Sequence, residues 1–273
     1  LGEKLSGWSV DDGYRNNAAG LVKEWDAEVE RIYSHDPQPL PAQGAVFGAI
    51  NSFSDPHDVV VNAAGSGPGD LHKLWRTRDP KGYHIEYGYS CMGYEIPGGL
   101  GIKLAAPERE VYVVVGDGSY LMMPQDIVTA VQEGIKLTIV LVDNHGFASI
   151  GGLSEALGSA GFGTEYRFRS DDGQLKGTPI PVDYAANARS LGAHTIVAKS
   201  IGEFKEALVE AKAQSHTTVI VIETEREERV GGYESWWDVP IAEVSEVDEV
   251  NAARADYEKA LLGERSYHAE GKQ

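Results

Sequence analysis

Stretches rich in valine and isoleucine recur along the middle of the chain, and segments with helical spacing or many glycines separate them. Buried strands are predicted at 58–64, 111–115, 137–142, 194–198 and 217–222. Helices are predicted at about 96–106, from Pro124 to Glu133, at 183–191 and at 201–214. Apolar strands that alternate with helices are typical of a parallel sheet with helices on both faces, so we predict an α/β fold.

The two ends of the chain differ from this alternating part. Residues 14–33 predict a helix, because Leu21, Trp25, Val29 and Ile32 recur at helical spacing. Three prolines within 34–44 indicate a linker. We therefore divide the chain into the end of a preceding domain (1–33), a linker (34–44), a main domain (45–225) and a C-terminal extension (226–273).

The C-terminal extension is charged and ends in a predicted helix that has Ser245 as its N-cap and Asp248 three residues further on. Before that helix, Tyr233, Trp236 and Trp237 lie in a glycine-flanked stretch. Packing of these aromatic side chains against the main domain or a partner subunit is the simpler interpretation. An interaction edge within 226–245 is the alternative.

Composition excludes several classes of partner. The chain has 273 residues, with 24 lysines and arginines against 42 aspartates and glutamates, and its net charge of −18 argues against nucleic acid and anionic membranes. Cys91 is the single cysteine, so no disulfide framework and no cysteine-based zinc site is expected, and we expect Cys91 to be buried. No apolar run is long enough to span a membrane and no signal peptide opens the sequence, which favours the cytoplasm.

The usual motifs of nucleotide-binding loops, zinc proteases and serine hydrolases are absent from the sequence. The glycine-rich segment 65–70 lacks the third glycine of the dinucleotide fingerprint and predicts a turn. The first residue is a leucine and the opening residues resemble internal sequence, so we expect a fragment of a longer polypeptide. A processed product or a split subunit is the alternative.

One pair of polar residues stands out at the ends of two predicted strands. Asp117 follows the strand at 111–115 between two glycines, and Asn144 follows the next strand, 27 residues later and two before Gly146. The carboxyl ends of parallel strands meet at one edge of a sheet, where ligands bind. A carboxylate, an amide oxygen and a free carbonyl suit Mg²⁺, and the helix expected from Pro124 adds amides that favour an anion. The pattern predicts a magnesium diphosphate site.

These residues belong to a longer motif. The segment GDGSYLMMPQDIVTAVQEGIKLTIVLVDNHGF (116–147) resembles the thiamin-diphosphate-binding motif of the enzymes that use this cofactor. The resemblance implies the diphosphate-binding fold of that family, Asp117 and Asn144 as Mg²⁺ ligands through their side chains, and Gly146 as a ligand through its carbonyl. It also implies further cofactor-binding positions, at Gly65, Ser66, Gly116, Gly118, Ser119 and Ser149.

A second segment, SCMGYEIPGG (90–99), resembles the part of the same family that supports the cofactor. The resemblance implies that the carbonyl of Ser90 accepts a hydrogen bond from the pyrimidine amino group. It also implies that Met92 is the bulky apolar residue that keeps the cofactor bent.

Three segments narrow the resemblance. AAGSGPGDLHKLW (63–75), EYGYSCMGYEI (86–96) and GGYESWWDVPIAEVS (231–245) are similar to the hydrolases of myo-inositol catabolism that open the ring of trihydroxycyclohexane-1,2-dione to 5-deoxy-glucuronate, although Gly67 and Pro97 depart from that pattern. Two alternatives remain open. One is an acetolactate-synthase-like or decarboxylating enzyme of the same superfamily, and the other is a non-catalytic subunit.

The family resemblance also implies a partner. Its members activate the pyrimidine ring with a glutamate from a second thiamin-binding domain, and no residue here matches that glutamate. We therefore expect the missing domain to come from an N-terminal part or from another subunit, within a homo-oligomer, and expect the chain alone to bind the cofactor weakly. His84 and Glu86 are the candidate catalytic residues of this chain, in loops beside the expected cofactor.

Overall fold

The protein is described by a computed structural model that covers residues 2–233 and 238–264. A short 3₁₀ turn, Gly2–Leu5, precedes the first helix. The strands are β1 (Val59–Asn62), β2 (Tyr83–Ile85), β3 (Val111–Gly116), β4 (Thr138–Asp143), β5 (His194–Ala198) and β6 (Thr218–Glu223). The helices are α1 (Asp12–Tyr33), α2 (Gln43–Phe53), α3 (Ser66–Leu74), α4 (Glu95–Ala105), α5 (Asp117–Met122), α6 (Asp126–Gln132), α7 (Ala148–Ala156), α8 (Tyr184–Ser190), α9 (Ile201–Ala213) and α10 (Asp248–Leu261).

The six strands form one parallel sheet in the order β2-β1-β3-β4-β6-β5. The chain builds outward from β1 to β2 and then returns to place β3 on the other side of β1. Such a reversal leaves a crevice outside the carboxyl ends of the strands, which is where parallel sheets bind ligands. The predicted α/β fold is confirmed.

Both faces of the sheet are covered, as the apolar strands require. Val60, Val114 and Val142 point into one core, which is filled by α1, α2, α3 and α9. Val61 and Val113 belong to the other, under α4, α6 and α8. Successive residues of a strand alternate between these two cores because side chains leave a strand on opposite sides.

Small residues let α4 approach the sheet closely. A Cβ on Gly99 would lie 2.3 Å from a methyl carbon of Val113 in β3, so any larger residue would push the helix outward. The amino end of α4, which carries Glu95, is therefore held against the end of the sheet where the strands terminate.

The structure corrects several local predictions. The glycine-rich segment predicted as a turn begins α3, because a proline is tolerated in the first turn of a helix and because Leu71 and Leu74 bury their side chains. The second helix, α2, begins within the predicted linker. The helices α5 and α7 and the three-residue strand β2 were not predicted from the sequence.

The C-terminal helix forms, but its predicted cap is wrong. α10 begins at Asp248 with Val247 as its N-cap residue, and the hydroxyl of Ser245 instead accepts a hydrogen bond from the amide of Val247, at 3.1 Å. Tyr233 packs edge to face on Trp25 of α1, with ring centres 5.0 Å apart. Trp236 and Trp237 lie outside the described residues.

Within the described residues, none of the helices combines the length and the hydropathy that crossing a membrane requires.

Candidate functional site

A cavity of about 190 Å³ opens at the carboxyl ends of β1, β3 and β4, beside the point where the chain reverses. Its walls come from the segments that follow β1, β2, β3 and β4, from residues within β3 and β4, and from the first residue of α2. The described lining residues are Gln43, Ala64, Gly65, Ser66, Gly67, Pro68, Ser90, Met92, Val114, Gly116, Gly118, Ser119, Val142, Asn144, Gly146, Phe147, Ala148, Ser149 and Ile150.

The cavity brings together ten of the eleven residues that the sequence placed in a cofactor site. They are Gly65, Ser66, Ser90, Met92, Gly116, Gly118, Ser119, Asn144, Gly146 and Ser149. The eleventh, Asp117, is fully buried behind this lining and contacts the loop that carries Asn144 and Gly146. Sequence positions from four separate segments therefore converge on one space.

Asp117 organises the loop after β4. One carboxylate oxygen accepts a hydrogen bond from the amide of Gly146 at 2.6 Å, and the other accepts from the amide of Asn144 at 3.5 Å. The hydroxyl of Tyr184 donates to the same carboxylate at 3.4 Å. The first residue of α5 thus fixes the loop at the end of the neighbouring strand.

Three oxygen atoms meet where a cation would bind. The side-chain oxygen of Asn144 lies 3.2 Å from the carbonyl oxygen of Gly146 and 3.3 Å from a carboxylate oxygen of Asp117. Acceptor oxygens this close to each other repel. The repulsion is removed if the Asn144 amide is reversed, so that its NH₂ group donates to both oxygens, or if a cation lies among the three oxygens. A carboxylate, an amide oxygen and a carbonyl are hard ligands of the kind that Mg²⁺ prefers, so this donor set fits that ion.

The backbone around Gly146 leaves little choice of residue. Gly146 has φ +139°, and a Cβ there would lie 2.5 Å from the carbonyl oxygen of Thr164. His145 also has a positive φ, of +60°. Two successive residues in such conformations direct the Gly146 amide to the carboxylate of Asp117 at 2.6 Å, and strained backbone of this kind clusters at functional sites.

Electrostatics also favour a cation here. Burial raises the pKa of Asp117, and the nearby Asp143 carboxylate raises it further. Nε2 of His145 lies 2.7 Å from Glu223 and Nδ1 lies 3.6 Å from Asp143, so both ring nitrogens face carboxylates other than that of Asp117. A divalent ion would offset the cost of keeping the Asp117 carboxylate charged.

The helix that faces the cavity is not the one predicted. The sequence placed the amides near Pro124, but α6 begins at Asp126 and contributes no residue to the described lining. Gly118 and Ser119 of α5 line the cavity instead. The short helix escapes pattern analysis because its six residues include a glycine and give no helical period.

The opposite wall is a turn in an uncommon conformation. Ser90 has φ +51°, and its hydroxyl donates to the carbonyl of Ala63 at 3.4 Å. Met92 follows within the same turn and lies in the cavity wall. Gly93 has φ +91°, and a Cβ there would lie 2.8 Å from the Cβ of Met123. The turn therefore packs against the segment after α5.

Two buried carboxylates that the sequence analysis missed support the cavity. Glu95 is 1% exposed and contacts Ser119, and Asp70 is 7% exposed and accepts a hydrogen bond from the side-chain amide of Gln43 at 2.8 Å. The carbonyl oxygen of that Gln43 amide accepts in turn from the Ser66 hydroxyl at 3.1 Å. The sequence does carry one signal for Glu95, because it is the single acidic residue in the otherwise apolar segment 92–102.

The two candidate catalytic residues lie outside the described lining. His84 is in β2 and not in a loop, and its Nε2 lies 2.7 Å from the Tyr94 hydroxyl. Glu86 accepts hydrogen bonds from the amides of Tyr89 and Cys91, at 3.0 and 2.7 Å, and so holds the turn that leads to Met92. Their catalytic role stays a prediction.

Cys91 is exposed, so the expectation that it is buried is wrong. It lies in the turn between β2 and α4, where its amide donates to the Glu86 carboxylate at 2.7 Å. Partial desolvation and the Glu86 carboxylate raise the pKa of its thiol, which disfavours a reactive thiolate.

Comparison with known protein families supports the geometry. Residues 63–222 match the family described as "Thiamine pyrophosphate enzyme, C-terminal TPP binding domain". The matched range contains the loops after β1, β3 and β4 and therefore almost the whole cavity wall. Thiamine pyrophosphate is another name for thiamin diphosphate.

Curated relatives match over most of the chain. The 3D-(3,5/4)-trihydroxycyclohexane-1,2-dione hydrolase of Clostridium perfringens (strain 13 / Type A) is 47% identical over 254 residues, which cover 93% of this chain and 40% of the relative. The protein of the same name from Bacillus anthracis (strain CDC 684 / NRRL 3495) is 46% identical over 275 residues, covering 98% of this chain and 43% of the relative. The chain thus spans about two fifths of the length of these relatives.

Solved structures share the fold. A thiamine diphosphate-dependent 4-hydroxybenzoylformate decarboxylase of Rhodococcus jostii RHA1 superposes with a TM-score of 0.60 at 19% identity, over 70% of this chain and 34% of its own. The benzoylformate decarboxylase of Polynucleobacter necessarius gives 0.59 at 22% identity, over 71% and 35%. At these identities the likeness concerns the fold alone.

Proposed function

Since the chain belongs to the thiamine pyrophosphate enzymes through their C-terminal cofactor-binding domain, we propose that it forms the diphosphate-binding part of a hydrolase that opens the ring of a cyclic 1,2-dione. The observation that carries the proposal is the convergence of Asp117, Asn144 and Gly146 in one oxygen-lined corner of the cavity. The hydrolases to which the chain is 46–47% identical give the reaction.

Each wall of the cavity has a part in binding. Asp117, Asn144 and the Gly146 carbonyl would hold Mg²⁺, and the backbone amides of Gly118 and Ser119 would meet the diphosphate. The loop after β1, at Gly65 and Ser66, and Ser149 of α7 would enclose the diphosphate from the other side. Bound there, Mg²⁺ would supply positive charge to offset the diphosphate, since all of its proposed protein ligands lie at that end of the cavity.

The opposite wall would orient the organic part of the cofactor. The Ser90 carbonyl is proposed to accept a hydrogen bond from the pyrimidine amino group, and the Met92 side chain would support the bend between the two rings. The bound cofactor supplies the carbanion chemistry that breaks a carbon–carbon bond next to a carbonyl. The protein's contribution is to hold the reacting rings in one geometry and to exclude water from them.

The substrate proposed is trihydroxycyclohexane-1,2-dione, whose ring bond next to a carbonyl is cleaved with uptake of water to give 5-deoxy-glucuronate. Such a polyhydroxylated ring needs hydrogen-bonding groups at the mouth of the cavity. His72 of α3 and His84 of β2 are the nearest candidates on either side of the turn at 86–93. His72 donates from Nδ1 to the Pro68 carbonyl at 2.8 Å, which leaves Nε2 available.

A second domain is part of the proposal. None of the described residues in the cavity lining is acidic, so the glutamate that activates the pyrimidine would come from outside this chain. The N-terminal part that the longer relatives possess, or a second subunit of a homo-oligomer, would supply it. We also propose that residues 45–225 are the cofactor domain and that 1–33 end the domain before it.

The test is an assay of the chain combined with the N-terminal part. Ring opening is measured with trihydroxycyclohexane-1,2-dione, and decarboxylation of pyruvate and benzoylformate is measured in parallel. We expect ring opening in the assembled protein and none from residues 1–273 alone. Decarboxylation without ring opening would assign the decarboxylating alternative, and cofactor binding with no turnover in the assembled protein would assign the non-catalytic one.

A further inference from the structure

Glu95 is a buried carboxylate that joins three separate segments of the cavity wall. It lies at the amino end of α4 and is 1% exposed. One of its oxygens accepts from the amide of Ala64 at 3.2 Å. The other lies 3.1 Å from the amide of Gly93, whose proton it shares with the nearer Ser119 hydroxyl oxygen at 2.8 Å. The hydroxyl of Ser119 lies 2.9 and 2.8 Å from these same two oxygens.

Each of these contacts is at or beside the cavity. Ala64 ends the segment after β1, Gly93 follows Met92 in the turn, and Ser119 lies in α5. Ala64 and Ser119 belong to the described lining, and Gly93 directly follows the lining residue Met92. A single side chain therefore determines how far apart these three walls stand.

Burying this carboxylate is costly. The partners that the described part of the chain gives to Glu95 are two backbone amides and a hydroxyl, and none of them is a cation. Burial accordingly raises the pKa of Glu95. A carboxylate that is buried without a cationic partner costs stability even when hydrogen bonds stabilise it, and such costs are retained mainly where a fixed geometry is needed.

The contacts also use up the proton of Ser119. Its hydroxyl oxygen accepts from the amide of Gly93 at 2.8 Å, and its one proton is directed to the Glu95 carboxylate. A hydroxyl has a single proton to donate, so this one cannot also donate to a diphosphate oxygen. What Ser119 can offer to an anion is its backbone amide.

We propose that Glu95 is a positioning residue for the cofactor, which acts through Ser119 and Gly93 to keep the diphosphate wall and the Met92 wall at a fixed separation before any ligand binds. The inference rests on the proposed function, because the walls that it holds are those assigned to the cofactor. On this proposal, the Ser119 hydroxyl links the diphosphate wall to the Met92 wall.

The variants are Glu95→Gln, Glu95→Ala, Ser119→Ala and the double variant Glu95→Ala/Ser119→Ala, all in the 273-residue chain. The first measurement is amide hydrogen exchange of Ala64 and Gly93 in the ligand-free chain. We expect Glu95→Ala to speed exchange at Ala64, and the double variant to speed it at Gly93 as well, because the Ser119 oxygen still accepts from Gly93 in the single variant. Glu95→Gln, whose side-chain oxygen still accepts, should retain part of the protection. Unchanged exchange in Glu95→Ala would overturn the proposal.

The second measurement is calorimetric titration with thiamin diphosphate, and separately with pyrophosphate, in excess Mg²⁺. We expect Glu95→Ala to weaken thiamin diphosphate binding on the order of 10- to 100-fold, as for other groups that orient a binding shell, with partial rescue by Glu95→Gln. The double variant should bind no more weakly than Glu95→Ala, because both changes break one link. The proposal would be contradicted if the losses of affinity in Glu95→Ala and Ser119→Ala added in the double variant, and if Ser119→Ala alone weakened pyrophosphate binding as much as it weakened thiamin diphosphate binding. That result would assign the Ser119 hydroxyl to the diphosphate.

Asp58→Asn is the matched control. Asp58 is also a buried carboxylate with a raised pKa that accepts from a backbone amide, that of Asp55 at 2.7 Å, but it precedes β1 at the opposite edge of the sheet. We expect it to change thermal unfolding without changing cofactor affinity. If it weakened binding as Glu95→Ala does, the effect would be one of general stability and the proposal would be wrong. Failure of the unsubstituted chain to bind either ligand even when combined with the N-terminal part would instead contradict the proposed function, and amide exchange in the 273-residue chain would still decide the role of Glu95.

Discussion

At the scale of single residues, the site depends on side chains whose partners are backbone amides of neighbouring loops. Asp117 holds the loop after β4, Glu95 holds the turn at 90–93, and Glu86 holds the start of that turn. Hydrogen bonds from amides to carboxylates are stronger than those between neutral groups. They let short, glycine-rich loops keep one conformation although little apolar packing supports them.

Met92 gives a residue-scale prediction about the cavity wall. Met92→Leu should retain turnover of the assembled protein, because it keeps the bulk under the cofactor, whereas Met92→Ala should lower it strongly. The free energy of unfolding should change by less than the roughly 2–5 kcal/mol expected for a fully buried methionine, because Met92 is only partly buried.

Steady-state kinetics and urea unfolding measure the two effects of Met92. Met122→Ala is the control, since Met122 is 54% exposed and lies outside the described lining. Equal turnover in both Met92 variants and the unsubstituted protein would mean that Met92 only packs.

Asp70 gives a pH dependence with a definite sign. Burial raises its pKa from 3.8 to about 6, although the Gln43 hydrogen bond and Lys73 act the other way. Because the fold favours the protonated form, the contribution of Asp70 to stability is greatest below pH 3.8 and is lost as the pH rises through about 6. The loss is on the order of 3 kcal/mol. Asp70→Asn should remove it, since the amide oxygen can still accept from Gln43.

Urea unfolding from about pH 2 to about pH 7, which spans the raised pKa of Asp70 and the lowered pKa of Asp79, measures this difference. Asp79→Asn is the control of opposite sign, because the Arg109 hydrogen bond lowers the pKa of Asp79 to about 2. The contribution of Asp79 to stability is present above pH 3.8 and is lost as the pH falls toward about 2. An unchanged pH slope in Asp70→Asn would contradict the assignment.

At the scale of elements, the approach of α5 to the loop after β4 depends on one glycine. A Cβ on Gly118 would lie 2.9 Å from the Phe147 ring and 3.2 Å from the Gly146 carbonyl oxygen. Gly118→Ala should therefore move that carbonyl and weaken Mg²⁺-dependent cofactor binding by at least about tenfold.

Gly101→Ala is the matched control, since a Cβ at that position of α4 has no atom within 4 Å and the change should stabilise the helix slightly. Calorimetric titration of the two variants gives the comparison. Cofactor binding by Gly118→Ala as tight as that of Gly101→Ala would show that the loop adapts.

The elements also show what a sequence can predict. The strands β3 and β4 are apolar on both faces, so their composition alone locates them and places Asp117 and Asn144 at one edge. The short elements α5 and β2 have six and three residues, too few for a period to emerge. The segment of α3 reads as a turn because its glycines and proline have low helix propensity, and tertiary burial of two leucines overrides that propensity.

The same reasoning explains which site residues could be found. Glycines and polar residues near strand ends mark most of the site by position, and nine of those predicted line the cavity together with Met92. Glu95, Gln43 and Asp70 contribute through contacts between segments far apart in sequence, such as the 24 residues between Glu95 and Ser119. Such pairings follow from the packing of helices on the sheet and have no local pattern.

At the scale of the whole molecule, the order of the strands determines where chemistry can occur. The reversal between β1 and β3 opens the crevice, and the loops after β1, β3 and β4 all reach it. The net charge of −18 does not prevent an anionic cofactor from binding there, because Mg²⁺ and local amides set the field inside the cavity. The central claim is therefore that cofactor binding depends on the metal.

Calorimetric titration with thiamin diphosphate tests that claim most directly, once in the presence of Mg²⁺ and once in the presence of a chelator. The proteins compared are the unsubstituted chain, Asp117→Ala, Asp117→Asn and the control Asp126→Ala. Asp126 lies at the start of α6, outside the described lining. We predict binding that requires Mg²⁺ in the unsubstituted chain and the control. In both Asp117 variants it should weaken by at least about tenfold, with more binding left in Asp117→Asn. Equal affinity with and without Mg²⁺, or Asp117→Ala binding as tightly as the unsubstituted chain, would contradict the account.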